Sequence, residues 1–249
     1  MTMKFYYAPA SSYCQRVLIA LYEKGIDFTP IEVNLFDPQA RSHYMQINPF
    51  GKIPTLVTDN GQVIIALVTD NGQVIIEAAI IIEYLDRHFQ NQPRLIPEDP
   101  ELALKVRLLE RIIDVYINGG REALFADTQR PVEERGDRGV VKAKRLLETG
   151  CYLLNERLGG HRWLAGEEFS LADCAAAPTL AYLRIVYNYK HLPRLTNYVR
   201  RLESRPSVMQ VQHSGREQMT RMLSELRYPL KLPSLEELAI YEGLGIRDK

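Results

Sequence analysis

The chain is short of several things that would define it. It has 3 cysteines and 1 tryptophan in 249 residues. Cys14, Cys151 and Cys174 are odd in number, far apart and in no CxxC pair. That excludes a disulfide scaffold and fits a reducing compartment, so a cytoplasmic location is expected. The five histidines form no HExxH or His-x-His pair, and no metal site is expected. There is no excess of either charge: 31 basic residues face 31 acidic ones. A nucleic-acid binder or a polybasic membrane-surface protein would carry a basic excess, and neither partner is expected. No apolar run is longer than stretches such as Val63–Val68 or Ala78–Ile82, far below a bilayer span. The N-terminus, MTMKFYY, lacks the apolar core and cleavage site of a signal peptide.

What remains is the composition of a globular protein, with 46% apolar and 25% charged residues. The charge is unevenly spread. Residues 1–97 hold 16 charged side chains and a net charge of −2; residues 98–249 hold 46 and a net of +2. A sheet-containing first domain and a helical second one are expected. The pattern in the first part reads as a strand at 3–7, a helix from Ser11 or Ser12 to Gly25, and a strand at 28–33. A polar helix over 38–47, two strands, and a helix from Glu77 to about Phe89 follow. Residues 91–100 are Pro-rich and read as a linker. Helical spacing then recurs over roughly 101–126, 135–158, 170–187, 193–204 and 207–226.

One segment is written twice. Leu56–Ile65 recurs without change as Leu67–Ile76, joined by Ala66. Packing does not demand ten identical residues, and repeat architectures need at least three copies, so this is a tandem duplication. Each copy carries an Asn-Gly hairpin signal. The offset of eleven is odd and would swap the two faces of a continuous strand.

Four motifs bear on chemistry. Ser11 and Ser12 sit where a helix N-terminus favours an anion, although simple capping is the plainer reading. Asn48-Pro49-Phe50-Gly51-Lys52-Ile53-Pro54 leads into a strand, where a proline is either at an edge or cis; an ordinary turn is the plainer reading. Glu77 stands between a β-run and a helix, as a cap or as a receptor for a ligand ammonium. Ser170-Leu171-Ala172-Asp173 has the spacing of a capping box, with Phe169 and Cys174 placed for a hydrophobic staple.

Together these motifs resemble the cytosolic glutathione transferases. The likeness rests on NPFGKIPTL, on Glu77 to Asp86, on WLAGEEFSLADC (Trp163 to Cys174) and on SRPSV (Ser204 to Val208). It runs over about residues 4–209. It implies an α/β thioredoxin-like N-terminal domain (1–90, with the duplicated hairpin segment 56–76), a linker (91–100), an all-α domain (101–209) and an extension (210–249). That extension would cover the cleft or meet a partner subunit. The family has one hairpin between Pro54 and Glu77, which implies that strand three uses Thr55–Val57 from copy one and strand four Val74–Ile76 from copy two. The intervening copy halves would form a longer hairpin or a protruding loop. The alternative uses copy one whole, loops out copy two and moves Glu77 away from the site.

SSYCQRV resembles the serine motifs of the zeta and phi classes, and Ser11 falls where the omega class has cysteine. The resemblance implies Ser11 as the hydroxyl facing the sulfur of glutathione, the co-substrate, with Ser12 as the theta-like alternative. Cys14 lies one turn inside the helix, and Tyr6 and Tyr7 match the family's tyrosine poorly. Ile53, beside cis-Pro54, would pair with the cysteinyl backbone of glutathione. Lys52 would lie near the glycine carboxylate, and Glu77 would hold the γ-glutamyl ammonium. The family usually has serine where this chain has Ala78, which implies weaker binding.

The expected activity is attack of the glutathione thiolate on a small hydrophobic electrophile, held in a cleft lined partly by Tyr116 and Phe125, in a homodimeric detoxification enzyme. The alternative is a non-catalytic interaction module of the same fold. A disulfide oxidoreductase is a third reading, without a CxxC to support it.

Overall fold

The computed structural model describes residues 3–58, 73–90 and 93–239. The first part is a four-stranded mixed sheet with helices packed on it. Its elements run β1 (Met3–Tyr7), α1 (Ser12–Glu23), β2 (Thr29–Glu32), α2 (Pro38–Tyr44), β3 (Thr55–Thr58), β4 (Gln73–Ile76) and α3 (Ala78–His88). The strand order is β2-β1-β3-β4. β1 and β2 are parallel, joined by the α1 crossover that parallel pairing needs. β3 is antiparallel to both β1 and β4.

The duplication is resolved in favour of strands from both copies. Thr55 faces Ile76, Leu56 faces Ile75 and Thr58 faces Gln73. β3 therefore comes from the first copy and β4 from the second, each one residue longer than expected. Leu56 and Ile75 are both buried on the core face. Residues 59–72, where the remaining copy halves were expected to form a longer hairpin or a protruding loop, lie outside the described residues.

The second part is helical. α4 (Pro100–Arg111), a π-helical turn (Ile112–Asn118) and α5 (Gly119–Thr128) follow one another without a gap. α6 (Arg138–Arg157), α7 (Leu171–Leu183), α8 (Pro193–Glu203) and α9 (Pro206–Ser224) complete it. None of the described helices is long and apolar enough to cross a membrane.

α7 is buried along its whole length, which explains its Ala-rich, weakly amphipathic sequence. The capping box read from Ser170 and Asp173 is present and reaches further than a cap. Asp173 accepts from Ser170 N (2.9 Å), Ser170 Oγ (2.8 Å), Leu164 N (3.1 Å) and Tyr198 Oη (2.6 Å). One carboxylate thus fixes the start of α7, the preceding loop and α8. Phe169 and Cys174 are both buried in the core.

The structure adds detail at two places in the domain division drawn from sequence. Within the Pro-rich segment read as a linker, the described residues 93–96 form a packed strap. Leu95 and Ile96 are buried, and their N–H groups donate to Asp86 at 2.8 and 3.3 Å. Buried Lys24 closes the strap, donating to Asp86 (3.0 Å) and to the Pro93 carbonyl (3.0 Å). The division at 209/210 falls inside α9, because Pro206 at its N-terminal end starts a helix that nothing interrupts until Ser224. Beyond α9 the chain folds back. Tyr228 exchanges two 3.1 Å hydrogen bonds with Gln129, and Leu235 and Leu238 are buried.

Candidate active site

A cleft of about 620 Å³ opens between the sheet domain and the helical domain. Lys52, Ile53, Pro54, Glu77 and Ala78 all line it, so five residues chosen from two separate motifs come together. The helical domain contributes Asp114 and Glu122.

The 48–54 segment is held from behind. Asn48 Oδ1 accepts from Phe50 N at 3.1 Å and Asn48 O accepts from Gly51 N at 2.8 Å, closing a tight turn. Gly51 has φ +59°, which suits glycine. The Lys52 carbonyl accepts from both Tyr44 Oη and Asn48 Nδ2 at 2.7 Å. Burial raises the Tyr44 hydroxyl to about 12, so it stays a donor. The Ile53–Pro54 bond is cis.

Glu77 is the only non-glycine residue with positive φ among the described residues, at φ 68° and ψ 120°. Such a conformation costs about 1–3 kcal/mol and persists where surroundings impose it, typically at binding sites. It turns the chain from β4 into α3, leaving the Glu77 side chain exposed beside the helix N-terminus. The first α3 amides, beginning with Ala78 N–H, have no intrahelical acceptor. Ala78 itself is buried.

Ser11 is the N-cap of α1, its Oγ accepting from Cys14 N at 3.4 Å. Capping was the plainer reading, and it holds, but a hydroxyl that accepts still has its hydrogen to donate. Ser11 is half-buried, whereas Ser12 is 8% exposed. Neither is among the cleft's lining residues; α1 reaches the lining at Tyr13, the next residue.

Tyr13, Asp114 and Glu122 are cleft residues that the sequence reading did not single out. The Tyr13 hydroxyl accepts from Asn118 Nδ2 at 3.0 Å, and its ring lies 4.4 Å from the buried Arg16 guanidinium. Burial and the Asp114 carboxylate raise the Tyr13 hydroxyl to about 12, so it is protonated at neutral pH. Asp114 and Asn118 both belong to the π-helical turn, a form often found at functional sites. Asp114 and Glu122 are eight residues apart, which returns both to one side of a helix. That spacing was a usable signal; the widened turn was not visible. Tyr116 and Phe125 do not line this cleft: Tyr116 is 44% exposed and Phe125 is packed against the core. Cys14 is fully buried, which raises its thiol to about 12.

Comparison with known proteins gives the family. The family model described as "Glutathione S-transferase, N-terminal domain" matches residues 5–93, and "Glutathione S-transferase, C-terminal domain" matches 135–201. The chain belongs to the glutathione S-transferase family. It is 26% identical over 216 residues to Glutathione S-transferase F6 of Arabidopsis thaliana, covering 84% of this chain and 98% of that one. It is 31% identical over 204 residues to a Stringent starvation protein A homolog of Pasteurella multocida, covering 80% and 84%. Among solved structures, a glutathione S-transferase from Methylobacillus flagellatus with GSH bound superposes with a TM-score of 0.71. Identity there is 28%, over 84% of this chain and 98% of that chain. A glutathione S-transferase from Methylobacterium radiotolerans, in complex with glutathione sulfonate, gives 0.70 at 26% identity, over 85% and 94%.

Proposed function

We propose that this member of the glutathione S-transferase family binds glutathione in the interdomain cleft and activates its thiol through the Ser11 hydroxyl. The observation that carries the reading is the convergence of Lys52, Ile53, Pro54, Glu77 and Ala78 on one cleft. Glutathione carries two carboxylates and one ammonium, and the cleft has counterparts for each. The γ-glutamyl carboxylate would take the free amides at the start of α3. The ammonium would face Glu77, with Asp114 across the cleft. The glycine carboxylate would lie near Lys52, and the Ile53 backbone would pair with the cysteinyl unit.

The thiol then has to lose its proton. Ser11 Oγ–H donates to the sulfur, and the dipole of α1 favours negative charge there. The proton leaves to solvent. The thiolate attacks the electrophile, a carbon–sulfur bond forms, and the displaced group departs with its electron pair. Ser12 is the less favoured hydroxyl because it is nearly buried. The second substrate would be a small hydrophobic electrophile, and detoxification its setting, in the cytoplasm.

A homodimer is part of this reading. Leu104 (62%), Leu108 (58%) and Val115 (45%) expose an apolar stripe at helical spacing along α4 and the π-helical turn. Light scattering at micromolar concentration should return twice the 28.6 kDa chain mass.

The test is retention on immobilised glutathione together with conjugation of an aryl halide. Wild type should bind and turn over, while Ser11→Ala should bind and lose most of its turnover. Binding without turnover would favour a non-catalytic module, a reading that Ala78 also favours. Neither binding nor turnover would sink the enzyme reading.

A further inference from the structure

The turn that delivers Ser11 is held in part from outside the matched family domains. Within the turn, Ser11 N donates to Ala8 O at 3.0 Å. Two further backbone groups of the turn have side-chain partners, the Pro9 carbonyl and the Ala10 N–H. The Pro9 carbonyl accepts from Gln15 Nε2 at 2.8 Å, and the Ala10 N–H donates to Gln218 Oε1 at 2.8 Å. Gln15 is itself buried and also donates to Tyr182 Oη on α7 at 2.8 Å. Gln218 lies on α9, past residue 201 where the C-terminal family match ends.

Gly215, one turn before Gln218 on α9, makes the approach possible. A Cβ there would stand 2.5 Å from Pro9 O and 2.6 Å from Gln15 Nε2. Glycine inside a helix costs about 1 kcal/mol relative to alanine. Its presence in α9 is accounted for by this contact, where backbone meets backbone. α9 also packs along α1 itself.

We propose that Gln218 and Gly215 are positioning residues that hold the Pro9–Ser11 turn, and hence the Ser11 hydroxyl, at the sulfur of bound glutathione. The inference rests on the reading of Ser11 given above. It gives α9 a role in the reaction without any contact with substrate. An amide deprived of Gln218 has only water to pair with, and the turn is free to move. Displacements of about 1 Å at a reacting group can cost up to 100-fold in rate.

The experiment compares Gln218→Ala, Gln218→Met, Gln218→Glu and Ser11→Ala in the full chain. The readouts are the pKa of enzyme-bound glutathione, from thiolate ultraviolet absorbance against pH, and kcat and KM for conjugation. Gln218→Ala and Gln218→Met remove the acceptor; Met keeps the volume, and serves if Ala fails to fold. Both should raise the bound-thiol pKa and lower kcat about tenfold, with KM for glutathione within about twofold. Gln218→Glu keeps an acceptor for Ala10 N–H and should restore both values. Gly215→Ala should move the pKa in the same direction as Gln218→Met. An unchanged bound-thiol pKa in folded Gln218→Met, with Ser11→Ala raised, overturns the positioning role alone. An unchanged pKa in Ser11→Ala overturns the reading of Ser11 and the positioning role with it.

Discussion

Arg16 Nη1 on α1 lies 2.7 Å from Asp114 Oδ1 on the π-helical turn, joining the helix that carries Ser11 to the wall of the cleft. The same guanidinium is 3.6 Å from Glu110 and donates to Thr179 Oγ1 at 3.1 Å. It is therefore a buried cation shared by α1, α4, α7 and the turn between α4 and α5. Removing it in Arg16→Ala leaves buried Glu110 without its cation, while Asp114 keeps Arg111 at 3.1 Å. The expected loss of unfolding free energy is about 3–5 kcal/mol, measured by denaturant titration. A loss below about 1 kcal/mol would contradict the role given to this cation.

Ala78→Ser should tighten glutathione binding. An added hydroxyl at the start of α3 offers one hydrogen bond to a carboxylate, worth about 1.5–3 kcal/mol. That corresponds to roughly tenfold to a hundredfold in Kd. Calorimetric titration with glutathione would read it directly, and an unchanged Kd would count against placing the γ-glutamyl carboxylate there.

Glu83 on α3 makes a bidentate pair with Arg107 on α4, at 2.7 and 3.1 Å. Hydrogen bonding from Arg107 lowers the Glu83 pKa against an opposing burial effect. A carboxyl with a lowered folded pKa contributes stability above its unfolded pKa and loses it as pH falls through the folded value. Arg107 is 39% exposed, so screening limits the contribution to about 0.5–1 kcal/mol. Glu83→Gln should therefore be less stable than wild type at neutral pH, and the gap should close in acid. Thermal midpoints taken across that range would show a gap that persists at low pH if the pair is not responsible.

Cys14 should be inert. It is fully buried and its thiol is raised to about 12, so almost no thiolate exists at neutral pH. Native protein should resist alkylation by iodoacetamide at this position, as mass spectrometry would show, and Cys14→Ala should keep conjugating activity. Loss of turnover in a folded Cys14→Ala would revive thiol–disulfide chemistry for this fold.

Local patterns in the sequence were readable wherever one rule acted alone. The first strand, the helix after Ser11 and the capping box at Ser170 all follow from short-range spacing. The pairing of strands from two repeat copies, the sheet order and the gathering of Lys52 with Glu77 required a family likeness, because no local rule brings residues 25 apart to one cleft. Tyr13 was hidden because a tyrosine beside two serines draws no attention until Asn118 and Arg16 close around it. The π-helical turn was illegible for a different reason. Nothing in the spacing of Ile112–Asn118 departs from that of an ordinary helix. The role of α9 was missed because its decisive residues, Gly215 and Gln218, look like surface helix until the Pro9 carbonyl and the Ala10 amide are seen against them.

The two half-copies that build β3 and β4 make the duplication reversible without a scar. Because the copies are identical, deleting any eleven consecutive residues in register restores the same single-copy chain, with Asp-Asn-Gly between the strand residues now at Thr58 and Gln73. Three residues ending in glycine are a common hairpin length. Every strand residue described in β3 and β4, and the Glu77 that follows them, would keep its neighbours. Which copy is lost makes no difference to the product, so the sheet is indifferent to where in the repeat the eleven residues are removed.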